Sequence, residues 1–423
     1  MMKTPLTHYS KGGWGRWFSI SPFIPQSFTG LRCLFNVLLI LAPLNIAIAE
    51  PFVPTSRTHV ITTLPSFMVT LQRTQKHERQ DTAQLSERIQ QAQTYLDSAQ
   101  KNNDPRWMGY AQAALNPWWN ISEQYPKVAL LKATILQNRH QFPSALVELN
   151  SVLNQQPRNT QALLTRAHVY MMQTDYTSAQ QDCQRILWLS QPTLGVNCLA
   201  QVNGLTGKGL LAIQQLTQLL ADNLTLSSTE REEIHITIAT IAHRHQQKDV
   251  ALQNYQKAYA INPNNGYLIE QFTDYLIENN LSEMLITLFS HIGIDNLKKN
   301  LHQQIKMAQY YQLVGDTQLS TFKSELDDSF TSSKIRKELF PHKEYALFSL
   351  SILNKYNQAL HSALKNWKIQ QAPSDAILVL RAAIASQQLQ QAQSVIQWVK
   401  DTRLYDHRID SLINTIETSR IQT

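Results

Sequence analysis

From about residue 82 onward, apolar and small side chains recur three and four places apart, the spacing of one helix face. In Thr82–Lys101 the stripe runs through Leu85, Ile89, Ala92 and Leu96. Asn102-Asn103-Asp104 interrupts it, and Pro105 suits the first turn of a second helix with Asp104 as its cap. That helix carries Trp107, Tyr110, Ala111, Ala114 and Leu115 and stops before Pro117-Trp118-Trp119. Between residues 126 and 192 one two-helix unit is written twice. Aligning Pro126–Pro157 with Thr160–Pro192 sets Ala133 against Ala167, Phe142 against Tyr176 and Ala145 against Ala179, at a spacing of 34. Leu149 then meets Cys183, Val152 meets Ile186, and each unit closes near a proline. Small residues allow two helices to cross closely, and an aromatic at the turn fills the gap to the next unit. A fixed period with two helices per unit predicts a stacked solenoid.

The pattern continues with varying clarity. Thr193–Asn223 is looser, with Ala200, Gly207, Ala212 and Leu216; Ser227–Pro263 is clear again through Ala239, Ala251, Tyr255 and Ala258. Its start, Ser228-Thr-Glu-Arg-Glu, reads as a helix cap with acid in the first turn. Gly266–Ile294 keeps the period but substitutes Phe272, Leu285 and Phe289 for small residues. Asn300–Phe340 is the least regular part, where Asp327-Asp-Ser-Phe-Thr-Ser-Ser reads as a loop. The register returns at His342–Pro373 through Ala346, Tyr356, Ala359, Ala363 and Trp367, and Ser374–Asp401 supplies Leu380, Leu389, Ala392 and Val399. Leu404–Ile421 has the sparse apolar stripe of a C-terminal cap. About seven to nine hairpins are expected.

The small residue in helix A, aromatic after the turn, Ala early in helix B and terminal Pro resemble the tetratricopeptide repeat (TPR) family. The resemblance implies an all-α helical-hairpin solenoid, a right-handed superhelix whose helices A line a concave face. The run Asp104–Trp119 leading into the repeats resembles exported bacterial members of that family, and brings no activity with it. The expected organisation is 1–49 signal peptide, 50–81 N-terminal arm, 82–125 divergent first hairpin and 126–299 repeat array. Residues 300–341 follow as a degenerate region, 342–401 as a C-terminal repeat pair and 402–423 as a capping helix. The aromatics of the first hairpin are expected to cap the open end of the stack.

Composition sharpens this picture in three places. Only 12 glycines in 423 residues favour helix, and 16% charged residues leave Gln, Asn, Ser and Thr to cover the helix surfaces. Lys3, Lys11, Arg16 and Arg32 precede the apolar run Cys33–Leu41, followed by Pro43 and an Ala47-Ile-Ala49 site before Glu50, the layout of an export signal. The apolar run is shorter than the roughly 20 residues of a membrane span, so cleavage after Ala49 is expected, with an uncleaved inner-membrane anchor as the alternative. Residues 1–49 carry four of the 38 Lys+Arg and none of the 31 Asp+Glu, so removing them lowers the formal charge from +7 to +3. The basicity is therefore partly a targeting feature, and no nucleic-acid partner is expected. Of the three cysteines, Cys183 and Cys198 fall on adjacent helices of neighbouring repeats; an oxidising compartment would permit a disulfide, and two buried free thiols are the alternative.

No catalytic constellation emerges, and no enzyme, cofactor or metal is expected. Gly204-Leu-Thr-Gly-Lys-Gly209 lacks the spacing of a phosphate loop and falls at an inter-helix turn. His235, His243 and His245 do not form the i,i+4 pair with which one helix face grips a metal. What remains is the groove. Positions carried over from the TPR pattern are Leu130, Thr134 and Gln137, then Leu164, His168, Met171 and Met172, then Asn197 and Gln201, then Ile236, Thr240, His243 and Arg244. The Lys/Asn pair with which some family members hold a carboxylate is absent: Leu130 with Thr134, and Leu164 with His168, stand there. Met171 and Met172 beside Leu164 suit an apolar segment or helix of a partner protein, because Met adapts its shape. Sequence leaves the partner and the oligomeric state open.

Overall fold

The computed structural model describes residues 82–102, 106–189, 192–223, 225–298, 301–335 and 340–421. The expected signal (1–49), the arm (50–81) and the Asp104 cap lie outside them. The described residues belong to one compact unit, His77–Thr423. They fold as successive helix pairs: α1 (Thr82–Asn102) with α2 (Arg106–Leu115), α3 (Pro126–Asn138) with α4 (Phe142–Gln155), and α5 (Thr160–Met172) with α6 (Tyr176–Trp188). Then come α7 (Pro192–Leu205) with α8 (Gly209–Asp222), α9 (Ser228–Arg244) with α10 (Lys248–Ile261), and α11 (Gly266–Glu278) with α12 (Ser282–Ile292). A short α13 (Ile294–Leu297) precedes α14 (Leu301–Val314) and α15 (Gln318–Ile335). The last elements are α16 (His342–Ser351) with α17 (Tyr356–Trp367), α18 (Pro373–Ala385) with α19 (Gln393–Thr402), and α20 (His407–Ile421). Among the described residues there is no strand, and no helix is long and apolar enough to cross a membrane. The chain is an all-α solenoid of the TPR type.

The repeated small residues sit where helices cross. Ala133, Ala145, Ala167, Ala179, Ala239, Ala251 and Ala258 are wholly buried, as are Leu149, Cys183, Val152 and Ile186. At the α6–α7 crossing a Cβ on Gly195 would stand 2.7 Å from the Leu187 backbone, so nothing larger fits. The A helices from α3 onward end in the same way. A residue in the left-handed region follows at His140, Thr174, Gly207, Gln246, Asn280, Gly315, Asn354 and Gln387. At the first of these the His140 N–H donates to Gln137 O at 2.9 Å and the Gln141 N–H to Leu136 O at 2.9 Å. The pair of bonds recurs at Thr174 with Asp175, at Asn280 with Leu281 and at Gln387 with Gln388, satisfying the last carbonyls of each helix. The backbone thus repeats even where the sequence register fades. The α9 cap is Ser227, one residue before the expected Ser228, in a reciprocal capping box with Glu230.

One expectation changes. Asp327–Ser333 is not a loop but the interior of α15, because Phe322, Leu326 and Phe330 form a buried i, i+4, i+8 stripe beneath the polar residues. Aromatic contacts replace the small-residue crossings there: Tyr311 with Phe322 (5.1 Å between ring centroids), Phe330 with Tyr345 (5.0 Å) and Phe330 with Phe348 (5.6 Å). In the first hairpin Tyr95, Trp107 and Tyr110 cluster, and Asn116–Gln124 continues as a 3₁₀ segment that buries Trp118.

The C-terminal repeats fold back onto earlier ones. Helix α18 is buried almost all round, including Ala376, Ile377, Leu378, Val379 and Leu380. Its core takes in Tyr176 and Leu205, which belong to repeats well over 150 residues earlier. The Tyr405 N–H donates to Leu205 O at 2.9 Å, and the Tyr405 ring stacks on His245 at 4.4 Å. The solenoid therefore folds back on itself and partly encloses its concave face.

Candidate functional site

The interior holds a cavity of about 860 Å³. Its walls come from the inward faces of successive A helices. Leu164, His168, Met171 and Met172 project from α5, Asn197 and Gln201 from α7, and Ile236, Thr240 and Arg244 from α9. Asp97 and Gln100 of α1 and Gln137 of α3 close one side; Gln371, Ala372 and Pro373 before and at the start of α18 close another. Helix α9 contributes Thr229, Glu232, Glu233, Ile236, Thr237, Thr240, Ile241 and Arg244, one stripe that recurs every three to four residues, because only one face of a straight helix can turn inward.

Seven of the eight groove residues read from sequence line this cavity: Leu164, His168, Met171, Met172, Gln201, Ile236 and Arg244. They are not equivalent. Met171 (8% exposed) and Ile236 (7%) are largely packed into the core, whereas Leu164 and Met172 are half-buried and face the space. His168 Nε2 lies 3.2 Å from Gln201 Oε1, and burial lowers its proton affinity, favouring a neutral imidazole. Leu130 is half-buried and accepts a hydrogen bond from the Thr134 hydroxyl through its carbonyl, at 3.1 Å.

His243, the eighth, does not face the cavity. It points to the helix edge, where Nε2 stands 3.0 Å from Glu278 Oε2 and the ring packs edge-on against Tyr275. Arg408 Nη1 donates to the same Glu278 oxygen at 3.1 Å, Arg408 Nη2 pairs with the fully buried Asp406 at 2.7 Å, and Arg381 reaches Glu278 at 3.4 Å. Burial works to raise the Glu278 carboxyl, but His243, Arg408 and Arg381 prevail and hold it at about 2. Two residues adjacent on α9 thus serve different surfaces: Arg244 the cavity, His243 the closure. The other two histidines of the sequence cluster are equally structural. His235 Nδ1 lies 2.8 Å from Asn254 Oδ1, and His245 stacks on Tyr405.

The cavity carries its own charge pattern, which sequence reasoning did not resolve. Both Glu232 oxygens are occupied, by Asn265 Nδ2 at 2.7 Å and Asn262 Nδ2 at 3.1 Å. Glu233 beside it is exposed and makes no hydrogen bond or ion pair through its side chain to any described residue; partial desolvation by the wall, then Glu232 and Glu230, raise its carboxyl. Arg244 is half-buried and makes no hydrogen bond or ion pair either; its field pulls on Tyr176, whose hydroxyl burial nonetheless pushes up to about 12. Asn197 is 5% exposed and its Oδ1 has no donor.

Cys183 on α6 and Cys198 on α7 are joined by a disulfide with Cα atoms 5.4 Å apart. Among the described residues no group of three or more His, Cys, Asp or Glu side chains could hold a metal ion. The Gly204–Gly209 stretch forms the α7–α8 turn, with Gly207 at φ +81°.

No protein-family model and no curated protein sequence matches the chain. Among solved structures it is similar to human IFIT1 in a dimer with PPP-AAAA, at 14% identity over 74% of this chain and 81% of that chain, TM-score 0.39. It is similar to a tetratricopeptide repeat protein from Parabacteroides merdae ATCC 43184, at 14% identity over 71% and 99%, TM-score 0.32. Yeast Tom70 aligns at 11% identity over 81% and 97%, TM-score 0.26. In fold, the chain resembles the tetratricopeptide repeat family.

Proposed function

We propose that the chain is an exported TPR scaffold that takes a peptide segment of a partner protein into its concave cavity, as an adaptor or assembly factor. The observation that carries this reading is the cavity itself, where half-buried Leu164 and Met172 face inward amid polar side chains. The guest is an apolar segment of the partner, extended or helical, seated against Leu164 and Met172. Asp97, Glu232 and Glu233 in the wall disfavour a polyphosphate chain, which supports a peptide over a nucleic acid. The reading assigns the cavity no reaction. Export is supported by the leader-like residues 1–49 and by the disulfide, which persists in an oxidising compartment.

The test is site-specific photocrosslinking in cells from position 172, with mass spectrometry of the mature N-terminus. A start at Glu50 and one recurrent exported partner, lost in Met172→Glu with its helicity intact, is the expected result. Met171 is too buried to serve as the probe. An intact N-terminus in the membrane fraction, with membrane neighbours only, would favour a tethered structural component and overturn the adaptor reading.

A further inference from the structure

We infer that the cavity reads both ends of its guest: it holds a free-ended peptide of about five residues, with the ammonium at Glu233 and the carboxylate at Arg244. The inference rests on the peptide-binding reading above and gives it a ligand class.

Glu233 and Arg244 lie eleven residues apart on α9. At 1.5 Å and 100° per residue they stand about 16 Å apart and within about 20° of the same face. Both line the cavity, and neither has a hydrogen-bonding or ionic partner among the described residues. Among the described residues no positive charge offsets Glu232 and Glu230 beside the exposed Glu233. Glu232, its oxygens fixed by two asparagines, keeps a second negative charge beside it. An ammonium placed there relieves the repulsion that Glu233 otherwise bears. Arg244 keeps its charge at any ordinary pH, and its guanidinium presents a fork that matches a carboxylate. The two cannot quench each other, since about 16 Å exceeds the Debye length of roughly 8 Å at physiological salt.

The span between them has the chemistry of a peptide bed. Met172 and Ile236 are apolar, and Gln201 and Thr240 beside them offer polar side chains to a main chain. An extended chain advances about 3.3 Å per residue, so the two ends of a pentapeptide stand about 16 Å apart. Shorter peptides reach one charge only, and longer ones must buckle.

The experiment is equilibrium dialysis of the folded mature chain against a pool of unblocked pentapeptides with randomised central residues, read by mass spectrometry. Parallel pools are N-acetylated, C-amidated, or unblocked at three and eight residues. The unblocked pentapeptides should be retained, and each block should weaken retention about tenfold or more, the loss of one charge-assisted contact. Glu233→Gln should erase the preference for a free amine and Arg244→Gln the preference for a free carboxylate. If the wild-type chain retains blocked and unblocked pools equally, the two-ended grip is wrong while peptide binding stands. If it retains no pool, both readings fall.

Discussion

Glu278 is the carboxylate on which the closure of the solenoid depends, and its replacement by Gln measures that dependence. Its side chain is 20% exposed and faces His243, Arg381 and Arg408, which hold its carboxyl at about 2 against an ordinary value of 4.5. At about 1.4 kcal/mol per tenfold in proton affinity, the ionised group contributes about 3 kcal/mol to the folded state at neutral pH. The carboxyl binds its proton more weakly folded than unfolded. Its contribution is therefore complete above about pH 4.5 and disappears as the pH falls toward 2. Two readouts follow. The Tyr405 amide, bonded to Leu205 O across the closure, should lose protection from hydrogen exchange by about a hundredfold in Glu278→Gln at pH 7. In urea titrations the variant should trail the wild type by about 3 kcal/mol at pH 7 and by less than about 1 at pH 2.5. An equal deficit at both pH values would show that Gln harms packing rather than charge. No deficit at pH 7 would refute the reasoning outright.

Three further outcomes are expected. Thr174 is a β-branched residue at φ 61°, so Thr174→Gly should stabilise the chain by about 1 kcal/mol in thermal or urea unfolding; a loss would mean its side chain contributes more than its backbone costs. Cys183→Ser should destabilise by about 3 kcal/mol, the loop-closure value for a separation of 15 residues, and thiol labelling of the native wild-type chain should find no free Cys183. Gly209→Ala places a methyl group into the His245 ring, which stacks on Tyr405; a cost of about 1–3 kcal/mol and weaker Tyr405 amide protection are expected, and unchanged protection would sever that link.

Much of the repeat frame was legible because it is local. Ala133 and Ala145, Ala167 and Ala179, Ala359 and Ala363 mark crossings within a pair or between neighbours, and such contacts leave a period in the sequence. The cavity wall was legible for the same reason: once helix A is known to face inward, Leu164, His168, Gln201 and Arg244 follow by spacing. Three features were hidden. The α15 stripe of Phe322, Leu326 and Phe330 was masked by the polar run around it, so composition overruled a period that was present. The left-handed turns fall on His140, Thr174, Gln246, Asn280, Asn354 and Gln387, where no glycine announces them. His243 was misplaced because its partners, Glu278 and Arg408, come from other repeats, and pairing across such separations has no local signature. One trace of closure was available. Ala376–Leu380 is apolar on every side, more than a helix with one solvent face requires.

That closure changes what kind of solenoid this is. In an open array each repeat rests only on its neighbours, and stability is a sum of adjacent interfaces. Here α18 supplies Pro373 to the cavity and Arg381 to the Glu278 cluster, while α9 supplies Arg244 to the first and His243 to the second. The same helices form the wall and the seal, and they come from the middle and the C-terminal part of the chain. The first five pairs hold their own crossings, yet without α18–α20 Leu205 O would lose Tyr405 and Glu278 would keep only His243. The cavity is thus a property of the whole array, with walls drawn from helices between α1 and α18.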